Sequence, residues 1–183
     1  MKKLLIFASF VFLLAGCNSK TDSTPTSSAD TRPADTRPAD TLNYAFKASY
    51  SSDLTVPGNP VNAQKVLQVW KMFETARIEA MKPYFADTVI YDDASGMRFH
   101  GPSTDLLAYA KKDIEDLDSL RFDISTWHNT HVNDKNEDWV NIWSTERRYP
   151  KKGMPDTMLI QENWKVKEGK VVYFDQFKAR LPK

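Results

Sequence analysis

The sequence is poor in the residue types that most often cross-link a chain or hold a metal ion. Cys17 is the only cysteine among 183 residues, so a disulfide within one chain is excluded. There are three histidines, and they form no Cys/His cluster. A glycine-rich phosphate loop and a nucleophile elbow are also absent from the sequence. We therefore expect no cofactor, and stability must come from the burial of apolar surface.

Neither sign of charge is in excess. The chain has 25 Lys and Arg against 24 Asp and Glu, a net charge of +1, so nucleic acid is not an expected partner. His128 and His131 lie in a segment typical of a strand, where an offset of three places their rings on opposite faces. With the distant His100 they are more typical of surface or hydrogen-bonded residues than of a zinc site.

The first 16 residues predict a signal peptide. Two lysines precede an apolar run over residues 4–14, which is too short for a comfortable membrane span. The run ends in Leu-Ala-Gly before Cys17 and resembles the lipobox of bacterial lipoproteins. The resemblance implies that Cys17 is lipidated, becomes the first residue of the mature chain and anchors it in the membrane of the cell envelope. By the same resemblance, Asn18 stands where some bacteria have an Asp that retains a lipoprotein in the inner membrane, so the outer membrane is expected.

Two segments separate the anchor from the predicted domain. Residues 17–42 are rich in Ser, Thr, Asp, Pro and Ala and repeat the motif ADTRP. They have little to bury and predict a disordered tether. In residues 43–60, Tyr44, Phe46, Ala48 and Tyr50 alternate weakly, which predicts an extended arm or edge strand. All five tryptophans lie beyond residue 60, so we place the folded domain at residues 61–183.

The order of elements predicts an α+β domain. Helices are expected at 61–77 and 79–85, short strands at 88–93 and 97–100, and a third helix from Ser103 to about Asp118. Longer strands follow at 121–132 and 139–149, and a hairpin at 157–179. Helices that precede a run of antiparallel strands are typical of the α+β class. A sheet of this length must twist and curl, which would leave a conical cavity between its concave face and the helices.

The hairpin predicts the wall of that cavity. A two-residue Glu168-Gly169 turn would need positive φ at Glu168, so we favour a three-residue loop with Gly169 in the left-handed position. This register sets Glu162 opposite Phe174 and Trp164 opposite Val172. The predicted pocket face then carries Ile160, Glu162, Trp164, Val172, Phe174 and Gln176. The other register would pair Glu162 with Asp175.

Two carboxylates are candidates for proton transfer. Glu162 would face an aromatic wall, where loss of solvent raises the pKa of a carboxyl toward neutrality; a hydrogen-bonded core Glu is the simpler interpretation. Asp93 shares a strand face with Tyr91, which we place in the pocket lining, but an Asp before Ala94-Ser95-Gly96 is also typical of a turn. Trp139 and Trp143 share a strand face that would serve a pocket or a dimer surface.

The motifs YFADTVIY, FHGPSTDLLAYAKK and IQENWKVKEGKVVYFDQF, in this order, resemble the SnoaL-like branch of the nuclear transport factor 2-like superfamily. The resemblance implies a cone of three N-terminal helices on a strongly curved antiparallel sheet, and commonly a homodimer through the sheet. Relatives include ketosteroid isomerase-like enzymes, polyketide cyclases and ligand-binding domains. The Asp and Tyr of an isomerase-type site have no matching motif here. The sequence therefore favours binding of a small apolar or amphipathic molecule, or of a protein partner. The alternative is an isomerase, cyclase or hydratase that uses Glu162 or Asp93 as a base.

Overall fold

The computed structural model describes residues 48–50 and 55–181. The predicted signal peptide (1–16), the predicted tether (17–42) and part of the predicted arm lie outside these residues. Within them, no helix is long and apolar enough to cross a membrane.

Three helices precede the long strands, as predicted. Helix α1 spans Pro60–Glu74, a 3-10 helix spans Ile78–Tyr84, and α2 spans Ser103–Ile114. The side chain of Asn59 accepts a hydrogen bond from the Val61 N–H at 3.0 Å and so caps α1. The predicted end of the third helix near Asp118 was wrong, because the first long strand already begins at Leu117.

In the described part of the chain, seven strands form one curved sheet, and all neighbouring pairs but one are antiparallel. The sheet has the order β1-β4-β5-β6-β7-β2-β3. The strands are β1 (Thr55–Pro57), β2 (Phe85–Asp92), β3 (Arg98–Pro102), β4 (Leu117–Val132), β5 (Glu137–Pro150), β6 (Asp156–Lys167) and β7 (Lys170–Arg180). The parallel pair is β2–β7, which the sequence did not predict. The α+β cone with helices on the concave face is confirmed.

Alternation along the strands separates a buried face from an outer face. In β5 the buried residues are Val140, Ile142, Ser144 and Glu146, which face the helices. The residues between them, Trp139 and Trp143 among others, lie on the convex face and are half-exposed. The two tryptophans therefore do not line the cavity.

The turn of the β6–β7 hairpin differs from the prediction. Lys167 pairs with Lys170, so the loop is the two-residue Glu168-Gly169 turn, with φ of +53° and +73° at its two residues. Positive φ at both central positions is the geometry of a type I′ turn, whose twist matches that of the flanking strands. The fit between the turn and the twist of the strands outweighs the steric cost of the left-handed backbone conformation at Glu168.

A bulge in β7 then changes the pairing again. Val166 pairs with Val171, but Lys165 pairs with Tyr173, so Val172 is the extra residue. Beyond it, Trp164 faces Phe174 and Glu162 faces Gln176. The predicted pairings of Trp164 with Val172 and of Glu162 with Phe174 were wrong by two residues, one from the turn and one from the bulge. A shift of two residues keeps every side chain on its face. Glu162, Trp164, Phe174 and Gln176 therefore share one face, as predicted, and Asp175 lies on the other.

Residues before α1 contact the free edge of β4. Strand β1 pairs with residues 130–132, and Gly58 N–H donates to the Asn129 carbonyl at 2.9 Å. A Cβ on Gly58 would lie 2.9 Å from the carbonyl carbon of Thr130, so this close approach requires glycine. The Tyr50 hydroxyl donates to Glu137, and its ring packs edge-on against Trp139 at 6.5 Å. Part of the predicted arm is therefore an edge strand.

Candidate functional site

A cavity of about 480 Å³ lies between the concave face of the sheet and the helices. Its apolar lining comes from all three helices and from strands β2, β4, β6 and β7. The main apolar residues are Val69, Trp70, Phe73, Met81, Phe85, Leu106, Leu107, Phe122, Met158, Trp164 and Phe174. This volume is in the range of small-molecule sites.

The exposed lining residues mark the mouth of the cavity. Ala94 and Ser95 in the β2–β3 turn, Tyr109 and Asp113 of α2, and Arg180 of β7 line the cavity and are exposed. The opening therefore lies where the β2–β3 turn, the last turns of α2 and the end of β7 meet.

Three stacked rings form the wall of the cavity. Tyr91 and Trp164 are the direct cross-strand partners of Phe174, and each ring lies 4.3 Å from the Phe174 ring, nearly parallel to it. The pairing explains the stack, because adjacent strands are spaced by about 4.8 Å. Phe174 is the central ring of the stack, and all three side chains are buried.

Glu162 is the buried carboxylate next to the stack. It is 6% exposed, accepts a hydrogen bond from Trp164 Nε1 at 2.9 Å and another from Gln176 Nε2 at 2.6 Å. Burial raises the pKa of Glu162 from 4.5 to about 7, because the charged form loses solvation, and the two hydrogen bonds oppose the rise. Glu162 can therefore carry or release a proton near neutral pH.

Gln176 connects Glu162 to the ring stack. Its amide oxygen accepts a hydrogen bond from the Tyr91 hydroxyl at 3.3 Å, while its amide nitrogen donates to Glu162. Burial raises the pKa of the Tyr91 hydroxyl, and the nearby Glu162 adds to the rise. Tyr91 is therefore a neutral donor whose hydroxyl completes a short polar chain inside an apolar wall.

Asp93 lines the cavity, but its carboxylate holds the β2–β3 turn. Its Oδ1 accepts hydrogen bonds from the Ser95 hydroxyl at 2.6 Å and from the backbone N–H groups of Ser95 and Met97 at 2.8 and 2.9 Å. These bonds, the Ser95 hydroxyl first, lower the pKa of Asp93. A carboxylate with a lowered pKa is a weak base.

Two residues of the predicted pocket face do not line the cavity. Ile160 is 2% exposed and belongs to the core. It lies on the expected face but is covered by its neighbours. Val172 is the bulge residue of β7, so Val171, 2% exposed, takes the buried position instead. The cause is the bulge, which the sequence did not indicate.

Several charged residues of the cavity were missed. Glu146 and Arg148 of β5 continue the alternation that makes Val140 and Ile142 core residues, and they line the cavity together with Lys178. Arg148 donates from Nε to Glu146 and from Nη2 to Asp113 Oδ2 at 2.6 Å. The sequence contained the information needed to predict them. If the alternation of β5 is continued beyond Ile142, Glu146 and Arg148 fall on the inner face of the strand.

The remaining candidates lie apart from the cavity. His128 packs edge-on against Trp143 on the convex face, and His131 Nδ1 lies 2.9 Å from Asp138 Oδ1. Their partners in β5, Asn141 and Asp138, are three residues apart and face opposite sides of the sheet. Over residues 48–50 and 55–181, no group of three His, Cys, Asp or Glu residues could hold a metal ion.

A comparison with known protein families identifies the N-terminal segment of the chain. Residues 1–18 match the model of the prokaryotic membrane lipoprotein lipid attachment site, which supports a lipid-anchored bacterial envelope protein with Cys17 as the anchor. No curated protein matches the chain.

Solved structures with the same fold are numerous but distant in sequence. A protein from Shewanella denitrificans described as a SnoaL-like polyketide cyclase has a TM-score of 0.57 and 13% identity, over 66% of this chain and 92% of that one. A Mycobacterium tuberculosis epoxide hydrolase of the LEH-like type has a TM-score of 0.55 and 8% identity, over 66% and 84%. A nuclear transport factor 2-like protein of unknown function from Burkholderia pseudomallei has a TM-score of 0.54 and 15% identity, over 65% and 91%.

Identities this low establish a shared fold and leave activity open. The chain thus carries a bacterial lipoprotein lipid attachment site, as expected of a lipid-anchored envelope protein, and a domain with the nuclear transport factor 2-like fold.

Proposed function

We propose that the domain binds a small apolar or amphipathic molecule in the cavity, at the surface of the membrane that holds Cys17. The observation that supports this most strongly is the open aromatic cavity of about 480 Å³. A cavity that served only the fold would be filled by side chains, because interiors pack densely.

The distribution of polarity favours an amphipathic ligand. The inner wall consists mainly of the Tyr91–Phe174–Trp164 stack and apolar residues of the helices, and its buried carboxylates, Glu146 and Glu162, are hydrogen-bonded within the protein. The charged side chains of Asp113 and Arg180 are exposed at the mouth. An apolar body would bury surface against the rings at about 25 cal/mol per Å². A polar end would remain at the mouth, in contact with water.

The test is the binding of the neutral fluorescent probe N-phenyl-1-naphthylamine to the mature chain from residue 17, carrying Cys17→Ala. Ala110 lines the cavity, whereas Ala108 is exposed on the same helix. The variant Ala110→Trp should weaken binding by at least about tenfold, while Ala108→Trp leaves it within about twofold. Absence of binding to the parent protein, or equal binding to both variants, contradicts the proposal.

A second candidate function is proton transfer by Glu162, as in an isomerase, cyclase or hydratase. It is favoured by one observation, a buried carboxyl with a pKa of about 7 inside an accessible cavity. Exchange of the acidic C–H hydrogens of 2-indanone in D₂O, followed by NMR, tests it. Glu162→Gln should slow catalysed exchange by about 10²-fold or more, and Glu79→Gln, which changes an exposed residue, should not. No exchange above the buffer rate contradicts this candidate.

For the anchor, we propose the outer membrane, because Asn18 follows Cys17. Recovery of the mature protein in the inner-membrane fraction of a sucrose gradient would contradict this placement.

A further inference from the structure

Seven charged side chains line the cavity. They differ in whether other residues of the protein form close hydrogen bonds or ion pairs with them. The acids are Asp93, Asp113, Glu146 and Glu162, and the bases are Arg148, Lys178 and Arg180. Buried or half-buried charges are stable only when hydrogen-bonded or paired. The charges whose partners are distant are therefore the ones available to a ligand.

All four acids are engaged within the protein. Arg148 donates to Glu146, and to Asp113 through two hydrogen bonds, of 2.6 and 3.2 Å. Asp93 Oδ1 accepts three hydrogen bonds from its own turn, and Glu162 accepts from Trp164 and Gln176. Arg148 is likewise occupied, because its Nε and both Nη atoms have acceptors.

The two bases of β7 are held loosely. Lys178 Nζ lies 4.0 Å from Glu146 Oε2, and Arg180 Nη2 lies 3.9 Å from Asp156 Oδ2. Both distances exceed that of a hydrogen bond. Glu146 is already bound by Arg148, so it holds Lys178 only in part. The Lys178 side chain is also largely withdrawn from water, with 24% of its surface exposed.

Geometry brings these two cations to one place. Residues 178 and 180 are two apart on one strand, so they project from the same face about 7 Å from each other. Both follow Gln176 on the face that carries the cavity, and Arg180 reaches the mouth, where its side chain is 83% exposed. Two cations spaced in this way can share the oxygens of one anion.

We propose that the polar end of the ligand is an anionic oxygen group, a carboxylate or a phosphate ester, held between Lys178 and Arg180. This inference rests on the proposed binding function and assigns its ligand class. The apolar chain of the ligand then extends inward against Phe174 and Trp164, away from the anion.

The experiment compares four dodecyl compounds as competitors of N-phenyl-1-naphthylamine on the mature chain carrying Cys17→Ala. Dodecanoate and dodecyl phosphate are anions, dodecanol is neutral and dodecyltrimethylammonium is a cation. At least one anion should bind about tenfold or more tightly than the cation. The preferred anion distinguishes a carboxylate ligand from a phosphate ligand.

Two double variants locate the effect. Lys178→Gln with Arg180→Gln should weaken binding of the preferred anion by about tenfold and leave dodecanol within about twofold. The matched control, Lys167→Gln with Lys170→Gln, removes the same charge at the exposed turn of this hairpin and should change neither. The charge-preserving pair Lys178→Arg with Arg180→Lys should restore most of the anion affinity. Unchanged unfolding midpoints exclude misfolding as the cause.

The outcomes separate this inference from the function on which it rests. Equal affinity for anions and the cation, or an equal loss of anion binding in both double variants, overturns the anion site while cavity binding stands. If none of the four compounds displaces the probe, or the probe itself does not bind, the proposed binding function fails as well.

Discussion

Replacing Phe174 by alanine should lower the free energy of unfolding by about 3 kcal/mol. Phe174 is 8% exposed and stacks on both Tyr91 and Trp164 at 4.3 Å. Its truncation removes the buried ring and both aromatic contacts, each of which contributes about 0.5–1.5 kcal/mol beyond burial. One side of the Phe174 ring already faces the cavity, which limits the packing energy that truncation removes. We therefore expect a cost in the lower part of the range for Phe→Ala substitutions in a core.

The matched control lies on the same strand. Phe177 is 58% exposed on the convex face, and Phe177→Ala should change stability by less than about 1 kcal/mol. Urea unfolding followed by circular dichroism measures both variants. If Phe174→Ala costs no more than Phe177→Ala, the three-ring stack does not stabilise the sheet. Probe binding should weaken only in Phe174→Ala, because only that ring lines the cavity.

The stability of the protein should fall between pH 5 and pH 8, and Glu162→Gln should remove most of that fall. The pKa of Glu162 is about 7 in the folded protein against 4.5 for an ordinary Glu. A carboxyl with a raised folded pKa binds its proton more tightly in the folded state. Its contribution is therefore complete below pH 4.5 and is lost as the pH rises through 7, by about 2–3 kcal/mol over this window.

The neighbouring carboxylates Asp92 and Asp93 do not produce a similar fall in stability in this pH range. Hydrogen bonds from Arg98 and Ser95 lower the pKa values of Asp92 and Asp93, respectively, so their contributions change below the window. The difference in unfolding free energy between the parent and Glu162→Gln should increase in favour of the variant from pH 5 to pH 8, whereas Glu79→Gln should run parallel to the parent. A Glu162→Gln profile parallel to the parent would show that Glu162 ionises normally.

Sequence periodicity was sufficient to predict the layers of the fold. The α1 stripe of Val66, Val69 and Trp70 and the alternation of β6 indicated which faces are buried, and these residues are in the core. Periodicity indicates only which face of a helix or strand is buried. It cannot count loop residues or detect a bulge, so both the turn at Glu168-Gly169 and the displaced Val172 were missed.

The candidate site was predictable in part for the same reason. Glu162 and Gln176 lie in one hairpin that is rich in aromatic residues, so their placement could be predicted from a short stretch of sequence. The partners of Arg148 and the loose contact of Lys178 depend on how α2, β5 and β7 meet, which is long-range information. The parallel β2–β7 pair also joins distant segments, and it alone brings Tyr91 onto Phe174.

The chain reaches the domain at the end of the sheet remote from the cavity mouth. Tyr50 and β1 contact β4 and β5 near Val132, Glu137 and Trp139, whereas Arg148, at the other end of β5, bonds to Asp113 at the mouth. From Trp139 to Arg148, β5 advances about 30 Å at 3.3 Å per residue.

The contacts of Tyr50 and β1 and the cavity mouth therefore lie at opposite ends of the same strands. On the proposed binding function, a ligand that enters or leaves through the mouth does not pass the β1 edge, so its exchange requires no release of that strand. We therefore expect substitutions near Tyr50 and β1 to change the contacts of this segment without changing binding in the cavity.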